Sequence, residues 1–287
     1  MKFSVNSSLH YDVTGPGTLV CSLSCIQTQG QQVTNESLLT SREVNRTDLW
    51  VSLVANHFTK LDITEVGPLR IDYSAEVTTS PEVVEAASLG NSASQKLDAD
   101  AIPYLFPSRY VPSDRLRYLS SELFGHLNSP YAQAMAVEDW LAEHLTYTPG
   151  SSNEYSWALD TYTSGEGVCR DFAHLGIGFC RALTIPARYL TVYAYQLDPP
   201  DFHAVFEVYI DGMWYLIDGT RKAPLNGMIR IATGRDAGDA AVATIFGSII
   251  GREITVATAF LPETPDKTFI PITREDLRRD GMALFLG

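Results

Sequence analysis

The feature that most narrows the fold is a change of hydrophobic period along the chain. Up to about residue 80, apolar residues alternate with polar or small ones: Leu19, Cys21, Leu23 and Cys25; Val51 and Leu53; Leu61 and Ile63; Ile71, Tyr73, Ala75 and Val77. A period of two puts such residues on one face of a strand. Turn formers punctuate the runs at Gly15-Pro16-Gly17, Gly30, Asn35 and Gly67-Pro68. Residues 1–80 therefore read as an amino-terminal antiparallel β module with one buried face. In residues 81–113 the pattern breaks. Gly90-Asn91-Ser92-Ala93-Ser94 is loop-like, and Pro103, Pro107 and Pro112 follow. Prolines favour extended backbone, so this segment is expected to be a linker wrapping the surface. From Ser113-Asp114 the period becomes helical, with Leu116, Leu119, Leu123 and Leu127 on one side. Ser129-Pro130 opens a second helix striped by Met135, Val137, Trp140, Leu141 and Leu145. Residues 114–287 are expected to form an α+β core, a helix packed on an antiparallel sheet.

Residues 160–220 carry the most information. Gly165-Glu166-Gly167 reads as a flexible approach to a helix that begins at Cys169. Phe172, Leu175, Gly176, Phe179, Cys180 and Leu183 line its inner side, and Pro186 ends it. Ala187–Gln196 and His203–Ile210 read as strands. Asp211-Gly212 is a two-residue hairpin turn, and Met213–Asp218 is the returning strand.

Of the four cysteines, Cys21, Cys25, Cys169 and Cys180, no pair has the spacing of a zinc ribbon or a redox CxxC. Cys21 and Cys25 lie on one strand, about 13 Å apart at about 3.3 Å per residue, too far for a disulfide. They read as small core residues. Cys169 differs, because unpaired N–H groups and the helix dipole at a helix start favour a thiolate, the form that attacks carbonyl carbon. Cys180 lies about 16 Å further along the same helix and reads as core.

A thiolate nucleophile needs a base, and six histidines are available: His10, His57, His126, His144, His174 and His203. His174 points about 140° away from Cys169 around the helix. His10 and His57 fall in the β module, and His126 and His144 on the preceding helices. His203 is placed by the turn. If Ile210 pairs with Met213, Val205 faces Asp218 and His203 faces Thr220. His203 and Asp218 then share a face as diagonal neighbours. A carboxylate there orients one ring nitrogen and leaves the other for the sulfur.

Gly167-Val168-Cys169-Arg170-Asp171-Phe172-Ala173-His174-Leu175 resembles the cysteine segment of the bacterial transglutaminase-like superfamily. Ile185-Pro186-Ala187-Arg188-Tyr189 is similar to the segment that follows it. His203-Ala204 with Glu207-Val208-Tyr209 resembles the histidine strand, and Trp214-Tyr215-Leu216-Ile217-Asp218 the aspartate strand. Gly234-Arg235-Asp236-Ala237-Gly238-Asp239 resembles a downstream motif. Pro107-Ser108-Arg109-Tyr110 and the leading β module resemble the amino-terminal half of two-part bacterial members. The resemblance implies a papain-like core, a Cys-His-Asp triad of Cys169, His203 and Asp218, and no metal or other cofactor. Val205 stands where the family usually has Trp, and Gly219 where it usually has Pro.

The implied activity is acyl transfer on peptide or carboxamide bonds through a thioester, with a peptide or protein as substrate. Hydrolysis, as in a cysteine protease or amidase, is the leading reading. The alternatives are glutamine cross-linking by the same triad, or an inactive binding module that uses the same cleft. Tyr147 and Trp157 are the side-chain candidates for the oxyanion donor. Tyr193, Tyr195 and Trp214 are expected to line the cleft. The charge balance, 21 basic against 34 acidic residues, argues against nucleic acid or an anionic membrane as partner. Met1–Tyr11 lacks an apolar signal core and no run is long enough to span a bilayer, so a cytoplasmic location is expected.

Overall fold

The computed structural model describes residues 1–51, 54–90 and 97–287. Leu53 and the loop reading at 91–94 lie outside the described residues. The chain opens with β1 (Lys2–Cys21), β2 (Gln31–Thr40), β3 (Asn45–Val51), β4 (Asn56–Ile63) and β5 (Gly67–Thr79). β1 alternates buried with partly exposed positions along its first half, as its sequence period requires. One edge of β1 pairs with β5 and then β4, so that Val5 faces Ala75 and Leu19 faces Leu61. β2 and β3 flank β5 and β4 on the far side.

This sheet is not confined to the amino-terminal stretch. Its sixth strand, β13 (Ala243–Phe260), arrives from beyond the helical part and pairs with the other edge of β1, Val5 against Thr258 and Leu19 against Ile245. Most of β13 is exposed on both faces, so its sequence shows no clean alternation. Residues 81–113 hold a short strand, β6 (Glu82–Glu85), paired with the last strand, β14 (Met282–Phe285), and two 3₁₀ turns at Ala86–Ser88 and Ala99–Leu105. Tyr110 and Val111 are buried.

The central part contains α1 (Ser113–Phe124), α2 (Pro130–His144), β7 (Thr146–Tyr147), α3 (Ala158–Ser164), β8 (Glu166–Gly167) and α4 (Cys169–Ala182). Four antiparallel strands follow, β9 (Ala187–Ala194), β10 (Phe202–Ile210), β11 (Met213–Ile217) and β12 (Met228–Gly234), in spatial order β11-β10-β9-β12. Short α5 (Ala237–Ala240) precedes β13, and α6 (Arg274–Asp280) precedes β14. Ser129 caps α2 by accepting the Ala132 N–H at 3.1 Å, with Pro130 in the first turn.

Two glycines set how closely α4 packs. A Cβ on Gly176 would stand 2.6 Å from the Phe206 ring, and one on Gly178 would stand 2.7 Å from Leu116. One apolar cluster runs from Phe3, Leu9 and Tyr73 through Phe179 to Phe206 and Ile217, so both sheets share a core. Two side-chain amides extend the seam by mimicking a strand neighbour. Gln31 exchanges 2.8 Å bonds with the main chain of Arg230, and Asn56 bonds the main chain of Thr233 at 2.7 and 2.9 Å. Gly176→Ala should force α4 off β10 and cost about 1–3 kcal/mol. Urea unfolding checks this; a variant as stable as wild type would contradict the packing account.

Candidate active site

The hairpin turn fixes the site. Asp211 and Gly212 have φ of 52° and 90°, the left-handed pair that a two-residue turn requires. The ladder then runs Ile210–Met213 to Phe206–Ile217. One further step sets Val205 opposite Asp218, which is the register read from the sequence. His203 and Asp218 meet: Nε2 of the ring and Oδ2 of the carboxylate are 3.0 Å apart, and each residue is 1% exposed. Thr220 secures the carboxylate, donating to Oδ1 from its N–H at 2.9 Å and from its hydroxyl at 2.8 Å. Sequence reasoning placed Thr220 opposite His203 without giving it a task.

Cys169 is the first residue of α4 and is partly exposed. It reaches that position through an ordered approach rather than a flexible one. Gly165, at φ 72°, ends α3, and Glu166–Gly167 pairs in parallel with Thr146–Tyr147. Asp171 closes the helix start by accepting the Val168 N–H at 2.8 Å, and a Cβ on Gly167 would come 2.7 Å from the Cβ of Asp171. Cys169 and His203 line one cleft of about 700 Å³. With Nε2 held by Asp218, Nδ1 is the ring nitrogen left for the sulfur.

The electrostatics follow from this placement. Burial opposes a charge on His203, but Asp218, and after it Cys169, outweigh burial and raise the ring to about 10. Burial likewise acts to raise Asp218, yet His203 and the Thr220 bonds bring it below the ordinary carboxylate value.

Of the two oxyanion candidates, Tyr147 neighbours Cys169, and neither Tyr147 nor Trp157 is among the residues lining the cleft. Burial, and then the Cys169 thiol, push the Tyr147 phenol up to about 12, against a smaller opposing pull from the Cys169 main chain. Trp157 is 40% exposed at the start of α3.

The expected cleft residues Tyr193, Tyr195 and Trp214 do not line it. Tyr193 and Tyr195 have the same strand parity as Tyr189 and Thr191, which do line it, but the amino-terminal sheet covers that end of β9. The Tyr193 hydroxyl bonds Ser7 and the Leu23 carbonyl, and Tyr195 packs on Phe3 and Phe269. Trp214 sits at the turn end of the hairpin, under Tyr104 and 4.1 Å from the Arg188 guanidinium. The cleft is walled instead by Arg109, Tyr110, Tyr155, Phe202 and the segment 240–245, of which Arg109, Tyr110 and 240–245 are remote in sequence from the triad cysteine.

Cys180 is fully buried. His174 is also buried: its Nε2 accepts the Ala237 N–H at 3.1 Å, and burial, helped by Arg170, lowers it to about 3, so it stays neutral. The two departures from the family pattern have local causes. Val205 joins Leu190, Val192 and Leu216 in a second apolar cluster. At Gly219 a Cβ would stand 2.8 Å from the Leu141 side chain of α2. Among the described residues no group of three or more His, Cys, Asp or Glu is placed to hold a metal ion.

The paired shifts give stability a pH window. His203, raised in the fold, contributes fully below the ordinary imidazole value of 6.5 and loses that contribution as pH climbs through about 10. Asp218, lowered in the fold, contributes above the ordinary carboxylate value of 3.8 and loses it as pH falls. The stability gap between wild type and Asp218→Asn should be widest between about pH 4 and 6.5 and should narrow toward pH 10. Denaturant unfolding across that range tests it; a gap unchanged from pH 6 to 10 would contradict a charged pair.

Residues 117–219 match the transglutaminase-like superfamily core, and residues 1–100 match the bacterial transglutaminase N-terminal domain. A crystal structure of a "putative cysteine protease" from Cytophaga hutchinsonii is 40% identical, superposes with a TM-score of 0.94, and is covered over 98% of its length by 100% of this chain. An uncharacterised protein of Mycobacterium leprae is 27% identical over 238 residues, 77% of this chain and 81% of that protein. The chain belongs to the transglutaminase-like superfamily.

Proposed function

We propose that the protein is a cysteine-dependent acyl-transfer enzyme that hydrolyses peptide or carboxamide bonds. The observation that carries this reading is the 3.0 Å contact of His203 Nε2 with buried Asp218, behind a cleft that His203 lines together with Cys169 at a helix start. The similarity to a protein described as a cysteine protease supports it.

In this mechanism the thiol proton already rests on Nδ1 of His203, and the Cys169 sulfur attacks the substrate carbonyl carbon. The carbonyl π electrons move onto oxygen. The Cys169 N–H and the Tyr147 hydroxyl are the donors this reading assigns to that oxyanion. Collapse breaks the C–N bond, and His203 returns its proton to the departing amine. The thioester that remains is attacked by water, whose proton goes to His203. The C–S bond breaks, and a carboxylic acid leaves with the thiolate and the ring cation restored. An amine in place of water would give a new amide by the same steps. Asp218 does not exchange a proton; it holds the ring and stabilises its cation.

Cys169→Ala and His203→Ala should abolish turnover of peptide amides while leaving the fold intact, and Asp218→Ala should cost less than either. Tyr147→Phe should lower kcat about 10²-fold with little change in KM. A screen of peptide and glutaminyl substrates, with and without a primary amine, measures this and separates hydrolysis from transfer. Full activity in His203→Ala would overturn the assignment; product formed only with added amine would move it to cross-linking.

A further inference from the structure

The segment Pro107-Ser108-Arg109-Tyr110 is held rigidly against the cleft. Ser108 and Val111 exchange main-chain bonds of 3.0 and 3.1 Å. The Ser108 hydroxyl accepts from Arg181 at 3.2 Å. The Tyr110 N–H donates to Asp236 at 3.0 Å, and its hydroxyl donates to the Glu154 carbonyl at 2.9 Å. The inner face of the Tyr110 ring stacks on buried His174 at 5.1 Å and 8°. Ser108 and Tyr110 are thus explained by local structure.

Arg109 is not. Its guanidinium carbon stands 4.9 Å from the Tyr110 ring centroid, at a wall of the cleft shared by Cys169 and His203. Among the described residues it makes no ion pair and no side-chain hydrogen bond. The other cleft cation, Arg170, is occupied by Asp171 at 3.1 Å and by the Asn153 carbonyl. Glu154, the carboxylate among the lining residues, is exposed and forms no ion pair with Arg109. An aromatic platform restricts a guanidinium and leaves its fork of donors directed outward, a geometry that fits a carboxylate with two parallel bonds.

Resting on the acyl-transfer reading, we propose that Arg109 is a specificity-determining residue that binds a substrate carboxylate beside the scissile bond. The site therefore favours acidic peptides. The carboxylate belongs either to an Asp or Glu side chain or to a free chain terminus.

The test uses a library of acetylated hexapeptide amides carrying Glu, Gln or Lys at one position at a time, with a second set bearing free carboxyl termini. Wild type should turn over the Glu members at one position at least about tenfold faster in kcat/KM than their Gln counterparts, the size of one charge-assisted contact. Arg109→Ala should bring the Glu-to-Gln ratio to about one, and Arg109→Glu should invert it in favour of Lys. Preference confined to free-terminus peptides would identify the terminal carboxylate as the source. Equal rates for Glu and Gln together with no gain from a free carboxyl terminus in wild type, or a preference that persists in Arg109→Ala, would overturn the proposal. Binding of the same peptides to Cys169→Ala, read by fluorescence anisotropy, keeps the two questions apart. Charge-selective binding that Arg109→Ala abolishes would support Arg109 even if no peptide were cleaved, a result that would sink the acyl-transfer reading alone. Binding without charge preference would overturn the Arg109 assignment alone.

Discussion

A buried charged pair, His203 with Asp218, is the interaction on which the site depends. Taking an imidazolium and a carboxylate out of water is costly unless their geometry is tight and their remaining polar atoms are bonded. Both conditions hold. The hairpin register sets the two side chains against one another, and Thr220 saturates the second carboxylate oxygen. The rest of the core serves this pair by delivering a sulfur to the other side of the ring. Gly176 lets α4 lie directly on β10, and the parallel pairing of β7 with β8 fixes the approach to Cys169 and brings Tyr147 beside it.

The site also explains why the amino-terminal sheet and the helical part pack as one body. β9 supplies Tyr189 and Thr191 to the cleft, and the chain runs on under the amino-terminal sheet at Tyr193 and, just past the strand, Tyr195. The segment 240–245 that forms one cleft wall runs on into β13, the sixth strand of that sheet. Strain in either sheet is therefore felt at the cleft wall, because cores of this density shift rather than compress.

The legible parts of the sequence were those fixed by local rules. Asp211-Gly212 specifies a turn, the turn specifies a register, and the register brings His203, Asp218 and Thr220 together within eighteen residues. Cys169 was legible because a helix start behind glycines has a local signature. The cleft was not. Tyr193 and Tyr195 have the right strand parity, but parity does not say which other sheet will cover them. Trp214 lies at the turn end of its strand, opposite Tyr209, four residues from Asp218 in sequence. The walls that do exist, Arg109 with Tyr110 and the 240–245 segment, come from regions more than fifty residues from Cys169. The pairing of β13 with β1 joins residues more than two hundred apart, and exposure on both faces removed the alternation that would have announced a strand.

The central claim is that Cys169, His203 and Asp218 act as one unit, with His203 holding a proton beside the sulfur at neutral pH. The rate of Cys169 alkylation by iodoacetamide at pH 6–7, followed by intact-protein and peptide mass spectrometry, measures this directly. In the native protein Cys169 should label at least about tenfold faster than in His203→Ala, because only the thiolate reacts and the ring cation favours it. Buried Cys180 should remain unlabelled in both. Equal rates for Cys169 in the two proteins would contradict the account.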